Sequence, residues 1–242
     1  MPYKLPPPAL QPLRALAAKS DALLLGEIHG TQEVPQLVAG LLDEIARSGY
    51  RGLALEVPAN QRDELVAWAQ RRKGEPPPFF ARPSIDGRGN QQVLDLVAQA
   101  VGKGWQILCF DLEPSQPFRW WSQRDADMAR NFTVQRDQFC PGQKVIGICG
   151  NLHSRLTRAT GNFADLWPSF ASSLQRLNPQ AVVSTVAVVF HQGGFYNAGK
   201  VHPFNGEPIA QAHVRDGKER GHSLVLHLPE ASAVTFLAPP QP

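Results

Sequence analysis

Polar and titratable side chains follow four apolar segments of the sequence, each close to the point where the segment ends. In chain order these side chains are Glu27 and His29, Glu56, Asp111 and Glu113, and Asn151 and His153. Hydrolysis needs a base to activate water and positive charge to stabilise an oxyanion. His29 or His153, oriented by Glu27 or Glu56, is a candidate base at neutral pH. Arg124 is a candidate to bind an anionic group or the oxyanion.

The same side chains are also a candidate metal site. Two imidazoles and two carboxylates, from Glu27, His29, Glu56 and His153, suit Zn, Mn or Fe and leave a position for water. Covalent routes are less favoured, because the sequence has no G-x-S-x-G segment. Cys149 lies in an apolar strand-like run, which indicates core packing rather than a nucleophile. The sequence leaves metal dependence open.

The segment GEIHG places a small residue on each side of the first acid–histidine pair. Gly26 and Gly30 allow the backbone to turn sharply and allow another group to approach closely. We therefore expect the strand to end there so that Glu27 and His29 reach a shared site.

Apolar segments of five or six residues alternate with amphipathic helical segments along most of the chain. Strands are predicted at 22–27, 52–57, 105–111, 144–150, 181–190 and 222–229, and helices at 10–20, 31–49, 59–74, 90–104 and 119–139. This alternation predicts an α/β fold with a mostly parallel central sheet and helices on both faces. Ligands of such sheets bind outside the carboxyl ends of the strands, where the polar side chains converge.

The chain of 242 residues has the length of a single domain, and no linker divides it. Residues 1–8 are rich in proline and are predicted to form a loose arm. Residues 191–221 are rich in glycine and histidine, and we expect a long excursion there, with a short hairpin as an option. That excursion is a candidate lid that brings His191 or Tyr196 to a substrate. Trp120 and Trp121 are expected in the core, with an aromatic wall beside Arg124 as the alternative.

Composition and charge narrow the classes of partner. The formal net charge is +3, and the single run of like charges is at 70–73, so no nucleic-acid partner is predicted. No apolar run reaches the roughly 18 residues of a membrane helix, so no membrane partner is predicted. Three cysteines, two of them in strand-like runs, favour reduced thiols and a cytoplasmic location. The oligomeric state is open.

Four segments carry a resemblance to a known superfamily. LLGEIHGTQE, ALEV, RDADMARNF and KVIGICGNLHS, in this order and spacing, resemble the erythromycin esterases, the ChaN-like haem-uptake proteins and the TIKI/TraB group. The resemblance spans roughly residues 20–155, and the RDADMARN helix is most similar to the esterase branch. It implies that Glu27, His29, Glu56 and His153 lie at active-site positions. It also implies that Arg124 and Asp125 belong to an Arg-Asp helix.

Two functions follow as expectations. The first is a hydrolase with an erythromycin-esterase-like fold that cleaves an ester or phosphoester of a small molecule. Its water is activated by His29 and Glu27, and its substrate contacts are predicted at Asp111, Asp125, Asn151 and Tyr196. The alternative is a ChaN-like protein that binds haem or another small ligand without turnover, with His29 or Tyr196 as the axial ligand.

Overall fold

A sheet of eight strands runs through the computed structural model, which describes residues 1–237 apart from the side chain of Asn162. The strands are β1 Ala22–Glu27, β2 Tyr50–Pro58, β3 Gln106–Asp111, β4 Lys144–Gly150, β5 Val183–Asn197, β6 Lys200–Pro203, β7 His213–Asp216 and β8 Leu224–Ala231. Their order across the sheet is β3-β2-β4-β1-β5-β8-β7, and β6 pairs with β5. Neighbouring strands along β3-β2-β4-β1-β5-β8 are parallel. Strand β6 is antiparallel to β5, and β7 is antiparallel to β8.

Helices cover both faces of this sheet. The helices of the described chain are α1 Pro7–Lys19, α2 Glu33–Ala46, α3 Arg62–Arg71, α4 Pro78–Ala81, α5 Gln91–Gly102, α6 Trp121–Phe139 and α7 Phe170–Leu177. Short 3₁₀ turns lie at Ala59–Gln61, Gly161–Leu166 and Lys218–Arg220. Successive residues of β1 point to opposite faces. Leu23 and Leu25 therefore belong to the core that includes residues of α1, α2, α3 and α5, while Leu24 belongs to the core that includes residues of α6 and α7.

The predicted fold class is confirmed, and the boundaries of β1 and β4 agree with the prediction. A strand whose residues are apolar on both of its faces is buried on both faces of the sheet. β1 and β4 have this pattern, which is why they could be recognised. The helix α7 was not predicted. Its apolar residues have helical spacing, but at eight residues the segment is shorter than the stretch needed to establish a helical period.

The segment 191–221 contains more strand than the predicted excursion, and β5 and β6 form the short hairpin that was given as an option. Strand β5 was expected to end at 190 but continues to Asn197, and a two-residue turn at 198–199 leads into β6. The segment HQGGFYN did not resemble a buried strand because two adjacent glycines interrupt it. Much of the segment is therefore part of the sheet, with β7 on its outer edge.

The first residues of the chain are also more ordered than a loose arm. Helix α1 begins at Pro7, where proline is well suited to the first helical position. Further upstream, the backbone N–H of Tyr3 donates to the carbonyl of Gln36 at 2.9 Å, and its side chain packs against the core. Among the described helices, none has the length and apolarity that a bilayer span requires.

The two glycines of GEIHG allow other loops to approach the end of β1. A Cβ on Gly26 would lie 2.0 Å from Oγ of Ser154, and one on Gly30 would lie 2.0 Å from the carbonyl oxygen of Tyr196. Gly30 also has φ +86°, which favours glycine. The groups that approach closely are thus the turn after β4 and the end of β5, and these contacts fix the position of Glu27 and His29.

Replacement of Gly26 by alanine is expected to lower the free energy of unfolding by about 1–3 kcal/mol, because the new methyl group overlaps Ser154 in a packed site. Urea unfolding of Gly26→Ala against the parent chain measures this. Gly102→Ala is the matched control, since a Cβ there meets nothing within 4 Å. Equal stability of the two variants would contradict the close approach.

Candidate active site

The carboxyl ends of β1 to β4 lie side by side, because these four strands are neighbours in the order β3-β2-β4-β1. A cavity of about 390 Å³ opens at this edge. Its polar lining includes His29, Glu56, Asp86, Arg88, Asp111, Glu113, Arg124 and His153. The predicted convergence of His29, Glu56, Arg124 and His153 on one cavity is therefore seen in the fold.

Glu56 lies at the centre of this group. The pairing of β2 with β3 shifts register between Leu55 and Pro58, and such an irregularity changes where a side chain points. One oxygen, Oε2, accepts a hydrogen bond from the backbone N–H of Gly150 at 2.8 Å. Burial opposes ionisation, but the charges of Arg88 and His29 hold the pKa of Glu56 well below its usual range. Glu56 is thus a buried carboxylate anion.

Two arginines bind Glu56 and Asp111 together. Arg124 donates through Nη2 to Glu56 at 3.0 Å and to Asp111 at 2.7 Å. Arg88 donates through Nη1 to the same two carboxylates, at 2.9 and 2.6 Å. Charge-assisted bonds of this kind are strong and directional. The two guanidiniums and two carboxylates form a closed network below the cavity.

Arg88 belongs to this charged network, although the sequence did not predict it there. It lies in the loop before α5, which follows no strand, and its Nε donates to Asp86 at 2.7 Å. Gly87, with φ +78°, contacts the backbone of Gly30, and this contact holds the Arg88 loop against the His29 loop. The sequence contains one indication of such a residue. Several carboxylates at neighbouring strand ends require more positive charge than Arg124 alone supplies.

His29 lies between two carboxylates. Its Nδ1 is 2.9 Å from Oε1 of Glu27, and its Nε2 is 3.5 Å from Oε2 of Glu56. Burial favours the neutral ring, but the charge of Glu56 and the contacts with both carboxylates raise the pKa of His29 to about 10. Burial also raises the pKa of Glu27. Accordingly His29 is an imidazolium at neutral pH and Glu56 is its principal counter-ion.

His153 has a different environment. Its Nδ1 lies 2.7 Å from Oδ1 of the fully buried Asp125. Its Nε2 lies 3.2 Å from Nη1 of Arg124. An arginine N–H only donates, so this Nε2 is the acceptor and the ring proton of a neutral His153 is on Nδ1, facing Asp125. The backbone N–H of Phe170, at the start of α7, donates to Asp125 at 2.8 Å and holds it in place.

The other predicted site residues have different positions. Asp111 lines the cavity but is bound by the two arginines, and Asp125 lies behind His153 rather than in the cavity. Asn151 and Tyr196 are outside the cavity lining. The N–H of Asn151 donates to the carbonyl of Glu27 at 2.8 Å, and the ring of Tyr196 packs against Phe236 with centroids 4.8 Å apart. Both hold loops rather than face a ligand.

The predicted core position of the two tryptophans is wrong. Trp120 and Trp121 have 62% and 50% of their surface exposed. They precede and begin α6, where the chain enters from a polar loop and no other element covers them. Trp121 lines the cavity, and the Cζ of Arg124 is 5.9 Å from its ring centroid. The alternative of an aromatic wall beside Arg124 agrees with this geometry.

The donor atoms of this site do not fit a divalent metal. No group of three or more His, Cys, Asp or Glu side chains in the described residues is arranged to hold one. Glu56 accepts from two guanidiniums and a backbone N–H, and the free nitrogen of His153 faces Arg124. The guanidiniums already bind the lone pairs of Glu56 and of His153 Nε2. A divalent metal ion at these atoms would be repelled by the positive charge of the guanidiniums.

The fold of this chain is similar to the folds of several solved protein structures. A mutant of erythromycin esterase EreC in its open conformation superposes with a TM-score of 0.73 at 11% identity, covering 95% of each chain. The chain has the erythromycin-esterase fold. A succinoglycan biosynthesis protein shares that fold, with a TM-score of 0.71 at 11% identity over 93% of this chain and 92% of that one. A protein from Bacillus cereus also shares it, with a TM-score of 0.70 at 10% identity over 98% of this chain and 96% of that one.

At such identities the likeness of the chain to erythromycin esterase shows the fold alone. The similarity to ChaN of Campylobacter jejuni, whose structure has cofacial haem, is weaker, with a TM-score of 0.45 at 14% identity over 89% of this chain and 90% of that one. No protein-family model and no curated protein matches the sequence.

Replacement of Arg88 by methionine is expected to lower the free energy of unfolding by about 3 kcal/mol at neutral pH, because two buried carboxylates lose a shared cation. Urea unfolding measures the loss, and Arg88→Lys is expected to restore part of it. The control is Arg82→Met, an exposed arginine in the same loop. Equal effects of the Arg88 and Arg82 variants would show that the network contributes little.

Proposed function

We propose that the protein is a hydrolase that uses water to cleave an ester of a small molecule. One observation carries the proposal. Two histidines, each beside its own buried carboxylate, face one cavity on either side of the Glu56 anion. Pairs of titratable groups whose environments separate their protonation states are typical of acid–base catalysis.

His153 is the proposed general base. Its Nδ1 lies 2.7 Å from the carboxylate of Asp125, whose negative charge stabilises the imidazolium that forms. The lone pair of Nε2 accepts from Arg124 in the free protein. When a substrate carbonyl oxygen draws the Arg124 guanidinium to itself, Nε2 is left to accept a proton from water.

His29 is the proposed general acid, rather than the water-activating base that the sequence favours. Its two neighbouring carboxylates keep it protonated at neutral pH. An imidazolium has no lone pair with which to accept a proton from water, but it donates one readily to a departing alkoxide. Glu27 and Glu56 would then orient the ring.

The proposed reaction balances with these two histidines. Water loses a proton to His153 while its oxygen bonds to the ester carbon, and Arg124 stabilises the oxyanion. The carbon–oxygen bond to the leaving group breaks as that oxygen takes a proton from His29. The products are a carboxylic acid and an alcohol. A proton passing from His153 to His29 through solvent restores the starting state.

The charge of the site favours a carboxylic ester over a phosphoester. The cations are Arg88, Arg124 and His29. Four carboxylates line the same cavity, namely Glu56, Asp86, Asp111 and Glu113. Both guanidiniums are bound by carboxylates already. A phosphate dianion would meet no excess of positive charge, whereas a neutral ester needs none.

The geometry does not favour the haem alternative. Both nitrogens of His29 face carboxylates, and Tyr196 is not among the residues that line the cavity. An axial ligand needs an unshared electron pair directed at the iron.

The test is a panel of aryl carboxylic esters and aryl phosphoesters, with a chelator added to one arm. We expect turnover of the carboxylic esters, none of the phosphoesters, and no effect of the chelator. His29→Gln and His153→Asn are each expected to lower kcat by about 100-fold or more, since each removes one proton-transfer group. His202→Asn, in β6 and outside the cavity lining, is the control and should keep full activity.

Three outcomes would contradict the proposal. Turnover restricted to phosphoesters would reverse the substrate class, and loss of activity with chelator would require a metal. A protein inert on every ester that gives a haem Soret band, lost in His29→Gln, would favour the binding alternative.

A further inference from the structure

Two aromatic rings stand exposed at the mouth of the cavity. Phe118 and Trp121 both line it, and 38% and 50% of their surfaces are open. Their ring centroids are 5.2 Å apart with a tilt of 50°, so the two side chains form one continuous surface. We call this surface the aromatic wall. Large apolar side chains exposed together in a concave site are typical of ligand contact.

The aromatic wall is adjacent to the proposed reacting groups. The Cζ of Arg124 lies 5.9 Å from the Trp121 centroid, and the same guanidinium contacts Glu56 and His153. A molecule whose ester carbonyl reaches Arg124 therefore lays its neighbouring atoms against Trp121. Further apolar lining comes from Pro58, Phe79, Leu112 and Pro114. These prolines and rings lose little conformational entropy when a ligand covers them.

We propose that the aromatic wall selects esters that carry a flat, uncharged aromatic group next to the ester bond, and that Trp121 determines this specificity. The inference rests on the proposed hydrolase function. The surplus of carboxylates around the cavity adds a second selection, because it disfavours an anionic substituent on that aromatic group.

Trp120 provides a matched control. It is the neighbouring residue, it has the same side chain, and it is 62% exposed, yet it does not line the cavity. Its ring lies instead near Arg119, whose Cζ is 5.3 Å from the ring centroid. A loss of surface hydrophobicity affects both tryptophan variants equally, whereas a contact with the substrate affects only Trp121.

The experiment compares 1-naphthyl acetate with ethyl acetate in the full chain. Trp121→Ala is expected to raise the ratio of KM for the naphthyl ester to KM for ethyl acetate about tenfold, as loss of one aromatic contact predicts. Trp120→Ala should match the parent chain on both esters. Phe118→Ala is a second variant of the wall, expected to act in the same direction, and far-UV circular dichroism checks that each variant is folded.

Calorimetry with N-(1-naphthyl)acetamide, an amide analogue of the same shape, separates this inference from the proposed function. Binding weakened about tenfold in Trp121→Ala but not in Trp120→Ala supports the wall even if no ester is cleaved. Esters cleaved with identical naphthyl KM in both tryptophan variants and in Phe118→Ala would overturn it. Amide binding that is equal in all four proteins would also overturn it.

Discussion

The buried carboxylate of Glu56 is the interaction on which the rest of the site depends. It accepts from Gly150 of β4, from Arg88 of the loop before α5 and from Arg124 of α6, and it faces His29 after β1. An unpaired charge at this depth would be very costly, so each of these elements must be present for the carboxylate to stay ionised. The carboxylate in turn holds four separate segments at one edge of the sheet.

That arrangement explains why two similar histidines differ in chemistry. The Glu56 anion faces a ring nitrogen of His29, and so the imidazolium is favoured there. At His153 the nearest group to the outer nitrogen is a guanidinium, which requires a lone pair. One carboxylate and one arginine thus place a proton on one ring and leave the other ring able to accept one. The exposed aromatic wall extends this polar centre towards the solvent.

Much of the sheet could be predicted from the sequence, and part of the site. β1 and β4 are short apolar runs with sharp polar ends, and parallel strands bring those ends together, which is why His29, Glu56 and His153 could be placed near one another. Arg88 could not be found this way, since its loop follows no strand and its position depends on the contact between Gly87 and Gly30. Tyr196 and Asn151 were predicted as ligand contacts, but polarity alone does not distinguish a side chain that faces a cavity from one that holds a loop. The protonation of His29 depends on distances of 2.9 and 3.5 Å to two carboxylates, which no sequence pattern contains.

Nitrogen NMR of the imidazole rings tests directly whether His29 is protonated while His153 is neutral. Spectra of the ¹⁵N-labelled protein, assigned with His29→Gln and His153→Asn, are recorded from pH 6 to pH 10.5, a window set around the ordinary histidine pKa and the raised one. We expect His29 to remain an imidazolium through neutral pH and to titrate with a pKa of about 10. We also expect neutral His153 to carry its proton on Nδ1. A His29 that titrates near the ordinary value of about 6.5, or a neutral His153 protonated on Nε2, would contradict the proposed division of roles between the two histidines.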